Sequence, residues 1–211
     1  MGSEVSSLSI SVRSTKGIVF VALMGALGNI LSGLSIMVSP IVPSIPLGPI
    51  NVSLALDLSH VTTFIVALFG GPIFGGATGM IGGIVSAYQF GFSQGNIITG
   101  FAIPVGKALT GVAAGLIMRT VGSFRRRLMM VPMTVASYVP EALFTVFIFI
   151  IVFPAVFGPA IAGLVTIITA QIIAKAFVEM VIMGLILATL LGNRGFTEYL
   201  NEFFGHQARS K

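Results

Sequence analysis

The chain has 211 residues, of which 55% are hydrophobic and only 8% are charged. An ordinary soluble domain is about 25% charged, so this composition predicts an integral membrane protein and leaves no room for a soluble catalytic domain. The absence of cysteine excludes disulfides, thiol nucleophiles and thiolate metal sites.

Six apolar segments are predicted to cross the membrane as helices, each of which needs about 20 mostly apolar residues. The first, residues 17–38, carries no charge and is too long for the apolar region of a signal peptide, so we expect it to be retained. Four prolines between residues 39 and 51 favour an extended connector rather than a helix. The later spans are predicted at about residues 52–69, 73–90, 97–121, 128–153 and 159–191.

The basic residues indicate how these spans are oriented, because Lys and Arg concentrate in cytoplasmic segments. Lys107 and Lys175 lie within spans, and the connectors on one side of the membrane contain no Lys or Arg. Those connectors are residues 39–51, 91–96 and 154–158. The other basic residues lie on the opposite side: Arg13, Lys16, Arg119, Arg125, Arg126, Arg127, Arg194, Arg209 and Lys211.

We therefore predict an all-α integral membrane protein of the plasma membrane, with six transmembrane helices in one bundle and both termini in the cytoplasm. The membrane domain covers residues 17–192, and residues 1–16 and 193–211 form cytoplasmic ends. This orientation signal accounts for the net charge of +5, so we predict membrane lipid as a partner and no nucleic acid.

Small residues recur at the spacing that lets two helix backbones approach closely. In spans 3 and 4 this pattern is expected to serve packing within the bundle. Span 1 carries Ala22 and Ala26 with Gly25 between them, and here the pattern predicts either packing or a docking surface for another protein. The residues in spans 3 and 4 are Gly71, Gly75, Gly79, Gly83, Ala87, Gly106, Gly111 and Gly115.

Polar residues inside the spans are candidates for a binding site, because such side chains usually face the interior of a bundle or a cavity. The predicted depths of these residues place one group of them where it is open to the outside of the membrane. Such a group would suit a polar or charged organic ligand that enters from outside. The group comprises Asp57, His60, Tyr88, Gln89, Lys107, Gln171 and Lys175. Mutual neutralisation is the alternative: Lys175 could pair with Glu179. Likewise, Lys107 could pair with Glu141 or Asp57.

No catalytic or metal-binding motif accompanies these residues. The sequence lacks the HExxH, GxSxG and ATP-binding glycine-lysine motifs, and its two histidines are too few for a multi-histidine site. We therefore predict no enzyme activity, no cofactor and no metal. A stand-alone carrier that uses Asp57, Glu141 or Glu179 as a proton relay is an alternative, although the chain is short for one and shows no inverted repeat.

Residues 56–79, LDLSHVTTFIVALFGGPIFGGATG, lie across predicted spans 2 and 3. Here the chain resembles the substrate-binding S components of energy-coupling factor (ECF) transporters, in which a D-x-S/G element precedes A-x-x-x-G-P-x-x-G-x-x-x-G. The match covers essentially the whole chain, since the six predicted helices, the Ala22–Ala26 pattern and the extended connector also fit that family.

The resemblance implies a vitamin-binding component of an ATP-driven importer. Such a component docks on a transmembrane T component, here through Ala22 and Ala26, and two cytoplasmic ATPases supply the energy. The connector at residues 39–51 would act as a lid. Ligand residues in the family come mainly from spans 4 to 6 and the outer loops, which favours Asn96, Lys107, Gln171 and Lys175 here.

The substrate is less well indicated. Trp is absent and there are only three Tyr, which disfavours an aromatic sandwich of the thiamin-binding kind. Lysines in the pocket would suit a flavin, a folate-like carboxylate or another anionic vitamin, and riboflavin is the preferred candidate.

Overall fold

The computed structural model describes residues 15–42, 44–47, 50–53, 56–120, 127 and 129–205 of the chain. Over these residues it is a bundle of helices with one small β-hairpin. The helices are α1 (Thr15–Val38), α2 (Ser59–Gly70), α3 (Pro72–Gly82), α4 (Ile84–Phe90), α5 (Ile97–Thr120), α6 (Met130–Val146), α7 (Phe153–Phe157), α8 (Ala162–Gly192) and α9 (Arg194–Gly205). The strands are β1 (Ser44–Leu47) and β2 (Ile50–Ser53).

Four helical segments in the described part of the chain are long and apolar enough to cross a membrane. This finding confirms the prediction of a helical membrane protein. The segments are Thr15–Ile41, Ile97–Thr120, Met130–Phe157 and Pro159–Gly192. They correspond to predicted spans 1, 4, 5 and 6.

The helix predicted at residues 52–69 is shorter than expected. It covers Ser59–Gly70, so the predicted start at residue 52 is wrong. Residues 50–53 form strand β2, which pairs antiparallel with β1, and α2 begins only at Ser59. The Asp57 side chain accepts a hydrogen bond from the Ser59 backbone N–H at 3.1 Å, which favours a helix start here. Gly71, with φ of 87°, ends α2 in a conformation that favours glycine. A 12-residue helix rises only about 18 Å.

Helices α3 and α4 run antiparallel to α5 at very close range. A Cβ atom added to Gly75 would lie 2.6 Å from the Gly111 carbonyl oxygen, and one added to Gly115 would collide with the backbone of Pro72. The predicted packing role of the glycines in spans 3 and 4 is thereby confirmed. The helix predicted at residues 73–90 is interrupted at Gly83, where α3 ends and α4 follows.

The second half of the chain departs from the prediction at two places. Residues 147–152 form a π-helical segment that continues α6 into α7, so most of the connector predicted at residues 154–158 is helical. Past α8, the chain forms a further helix, α9, in the segment predicted only as a cytoplasmic tail. Leu200 of α9 is buried in the core, whereas Tyr199 is exposed.

The apolar core fills one end of the bundle, where α5 ends and α6 begins. We call it the core end, and the opposite end, where α5 begins, the cavity end. The largest side chains of the core's main cluster come from α2, α5, α6 and α8: Phe64, Met118, Met130, Met180 and Met183. Because α2 is short, it fills the bundle interior only at the core end.

Candidate functional site

A cavity of about 560 Å³ occupies the interior of the cavity end. Its walls come from α1, α4, α5, α6, α8, the π-helical segment and the start of α7, together with His60 of α2 and Asp57, which precedes α2. Small-molecule sites are typically 300–1,000 Å³ and mostly apolar with a few polar groups, and this cavity fits that description. Its aromatic side chains are Phe90, Tyr138, Phe144, Phe149 and Phe153, and its ionisable ones are Asp57, His60, Lys107, Glu141, Lys175 and Glu179.

Lys107 is buried at the centre of a hydrogen-bond network that joins four helices. Its Nζ donates to Asp57 Oδ2 at 2.6 Å, to Ser59 Oγ at 2.5 Å and, more weakly, to Ser86 Oγ at 3.5 Å. The hydroxyls of Ser86 and Ser32 share a further hydrogen bond of 2.6 Å. The Lys107 charge is therefore neutralised by Asp57, and its donors are occupied by protein groups.

Lys175 and Glu179 form a second ion pair, one turn apart on α8. The Lys175 Nζ lies 3.3 Å from Glu179 Oε1, and the same oxygen accepts a hydrogen bond from the Asp57 backbone N–H at 2.9 Å. Glu179 is buried, whereas about a third of the Lys175 side chain is exposed. Glu179 thus ties α8 to the residue that precedes α2.

Glu141, in the middle of α6, has a different environment. Its Oε2 accepts a hydrogen bond of 2.5 Å from the Thr110 hydroxyl and lies 3.6 Å from His60 Nε2, beyond hydrogen-bonding distance. Both ring nitrogens of His60 are buried and have no hydrogen-bond partner among the residues that the structure describes. The carboxylate and the imidazole are therefore both open to further interactions.

Of the eight residues named from the sequence for a ligand site, five line the cavity: Asp57, His60, Asn96, Lys107 and Lys175. Asn96 also accepts a hydrogen bond from the Thr99 backbone N–H at 3.0 Å and so caps the start of α5. The other three do not line the cavity: Tyr88 and Gln89 are exposed on α4, and Gln171 is partly buried on α8. Their roles stay predictions without support from the cavity geometry.

The three predicted docking residues face in two directions. Ala22 and Ala26 are exposed on the outer surface of α1. Gly25 is buried, and a Cβ atom added there would lie 2.5 Å from Ile81 Cγ2 of α3. Gly25 therefore serves the contact between α1 and α3 within the chain, and the alanines alone remain on the open face.

The sequence analysis did not select several residues that the cavity network uses. Ser32, Ser59, Ser86 and Thr110 contact the charged groups directly. Serine and threonine are common in membrane helices, where their hydroxyls also bond to the preceding turn, so their presence alone gave no signal. Ser59 is the only one of the four that lies in a motif used for the prediction, since it follows Asp57 by two residues in the D-x-S/G element.

Comparison of the chain with models of known protein families, with characterised proteins and with solved structures finds no match. The cavity, its charged groups and the sequence of residues 56–79 are therefore the observations that bear on function.

Proposed function

We propose that this chain is the substrate-binding S component of an ECF-type importer of the plasma membrane. It binds a vitamin or similar micronutrient in the cavity and docks on a T component, and two cytoplasmic ATPases supply the energy. The observation that carries the proposal is the 560 Å³ cavity at one end of a small helical bundle, beside the Asp57–Gly79 sequence that resembles the family.

The distribution of packing supports a binding role rather than an open pathway. At the core end, Phe64, Met118 and Met180 are completely or almost completely buried. Side chains packed in this way leave little room for a ligand to continue along the bundle axis. A bundle that is closed at one end and holds a cavity at the other fits the binding step that we propose for this chain.

The connector between α1 and α2 supports the proposed lid. It forms the β1–β2 hairpin, and β2 packs against α8, one of the cavity walls. In the proposed orientation, with both termini in the cytoplasm and six spans, this hairpin and the cavity lie on the outer side. A ligand would then enter from outside the cell, in keeping with uptake.

Co-purification tests the assignment most directly. Affinity purification of the tagged chain from its native membrane should recover a transmembrane T component and two ATPases in fixed stoichiometry. Compounds extracted from the purified chain can be identified by mass spectrometry, and their uptake into proteoliposomes should require the whole complex and ATP. Uptake by the purified chain alone, driven by a pH gradient, would instead support the proton-coupled carrier.

A further inference from the structure

We infer that the cavity selects an organic cation with an apolar or aromatic body, held by its positive charge against Glu141. The inference rests on the proposed binding function and names the chemical class of the substrate. It departs from riboflavin, the candidate preferred from the sequence, because riboflavin is uncharged at neutral pH.

The charge balance of the cavity is the first observation. Its described lining contains three carboxylates, those of Asp57, Glu141 and Glu179, and two ammonium groups, those of Lys107 and Lys175. Each lysine lies within ion-pair distance of one carboxylate, at 2.6 Å for Lys107 and 3.3 Å for Lys175. Residues 39–56, which include the hairpin, contain no ionisable side chain, so the connector adds no charge.

Glu141 is the one of the three carboxylates that has no lysine beside it. The described residues place the Thr110 hydroxyl and the His60 imidazole against it, and His60, at 3.6 Å, balances its charge only when the ring is protonated. An unpaired carboxylate away from water is costly, and a cation beside it relieves that cost. An anionic ligand would be repelled by this carboxylate, and both lysines that could attract it are already paired. The lysines therefore give no reason to expect a flavin phosphate or a folate.

His60, beside Glu141, is the second observation. The residue is 5% exposed and lines the cavity, yet neither ring nitrogen has a hydrogen-bond partner among the described residues. Buried polar groups are almost always hydrogen-bonded, so an unpartnered imidazole beside a cavity indicates a missing partner. A ligand with an ammonium or amidinium group supplies several N–H donors, which can bond to the Glu141 carboxylate and to the unprotonated ring nitrogen of His60.

The remaining walls suit the body of such a ligand. Tyr138, Phe144 and Phe149 line the cavity together with aliphatic residues of α5 and α8. Aromatic faces attract organic cations. The site therefore combines a carboxylate that has no lysine partner, an imidazole that has no hydrogen bond and aromatic surfaces.

Matched probes test the charge preference on the detergent-solubilised, full-length protein. Tryptamine, 3-methylindole and indole-3-acetate share an indole ring and carry a positive, no and a negative charge at pH 7. We expect tryptamine to raise the melting temperature most, and Glu141→Gln to weaken tryptamine binding at least tenfold. Glu198→Gln, the same substitution at an exposed position of α9, is the control and should leave binding unchanged.

Equal or stronger binding of indole-3-acetate by the wild-type protein would overturn the inference, as would no response to tryptamine at millimolar concentration. This comparison does not depend on a variant that folds. It is also independent of complex formation with the T component and the ATPases. A preference for the anion would overturn only the substrate class, whereas a failure to form the complex would overturn only the transport role.

Discussion

At the scale of single residues, both lysines inside the bundle are paired with a carboxylate. Lys107 pairs with Asp57 and Lys175 with Glu179. Charged groups away from water are stable only when they are paired and hydrogen-bonded, because neither the lipid nor the apolar core solvates them. Lys107 meets this requirement more fully than Lys175, since it is almost fully buried and bonded to three side chains.

This difference predicts unequal effects of removing the two lysines. Lys107→Met should destabilise the protein by about 3–5 kcal/mol, because it leaves the Asp57 carboxylate near the bundle centre without its counter-ion. Lys175→Met, the matched comparison, should cost less than Lys107→Met, because a third of the Lys175 side chain is exposed and the Glu179 carboxylate that it leaves keeps the hydrogen bond from the Asp57 backbone N–H. Thermal unfolding in detergent, followed by the loss of the monodisperse peak in size-exclusion chromatography, measures both.

A second variant separates loss of charge balance from loss of packing. Asp57→Asn combined with Lys107→Met removes both charges of the pair, so the double variant should recover much of the stability that Lys107→Met loses. A double variant that is less stable than Lys107→Met alone would contradict this explanation.

Much of the site could be predicted from the sequence, because ionisable residues in apolar spans are rare and usually face an interior. That rule found Asp57, His60, Lys107 and Lys175. It could not decide whether Lys107 pairs with Asp57 or with Glu141, since both partners are distant in sequence and only the packing of helices brings one closer. Gln89 was chosen by depth alone, and depth does not determine which face of a helix a residue occupies.

At the scale of elements, the contact between α3 and α5 depends on glycine. Gly75 and Gly111 lie opposite each other, and a Cβ on either would meet the backbone carbonyl oxygen of the other. Backbone atoms cannot move aside as flexible side chains do. The two helices therefore keep this separation only while both positions lack a side chain.

Gly111→Ala should accordingly destabilise the bundle, by about 1–3 kcal/mol or more, as overpacked positions do. Gly33→Ala is the matched control, because Gly33 lies within α1 and a Cβ there would meet no atom within 4 Å. The control should be neutral or stabilise by up to about 1 kcal/mol, since alanine restricts the unfolded chain. Equal melting temperatures for the two variants would show that the close approach of α3 and α5 does not limit stability.

The exposed face of α1 yields a prediction about the proposed partner. Ala22→Trp combined with Ala26→Trp should abolish recovery of the T component, because two bulky rings prevent close approach of another helix. Ligand binding by the isolated chain should persist, since neither alanine lines the cavity. Leu185→Trp, at a position 56% exposed on α8, is the control for a bulky ring at the lipid surface and should leave the complex intact.

The ends of α1, α5 and α8 agree with the sequence to within a few residues, because apolar runs of helical length have few other structures in lipid. The start of span 2 was predicted too early, at residue 52, because a short apolar run fits a strand as well as a helix. The start of α2 depends instead on a hydrogen bond between Asp57 and Ser59. The tail helix α9 was missed because its apolar side chains are too few for a span.

At the scale of the whole molecule, the number of membrane crossings depends on α2, α3 and α4. Helices α3 and α4 together cover residues 72–90, a length of about 28 Å, and lie along most of α5. The turn between α2 and α3 reaches the end of α5, since Gly71 lies against the Arg119 side chain. If α5 crosses the membrane, this turn therefore lies at the same surface as Arg119.

Cysteine labelling can test this placement of the α2–α3 turn, because the chain has no cysteine of its own. Ile73→Cys places a thiol on an exposed position next to the α2–α3 turn, and Ser93→Cys places one in the exposed turn before α5. With six spans and cytoplasmic termini, a membrane-impermeant maleimide should label Ser93→Cys in intact cells. It should label Ile73→Cys only after the membrane is opened. Labelling of both from outside would place the α2–α3 turn and the turn before α5 at one surface, which would contradict the six-span topology and the packing of α3 and α4 along α5.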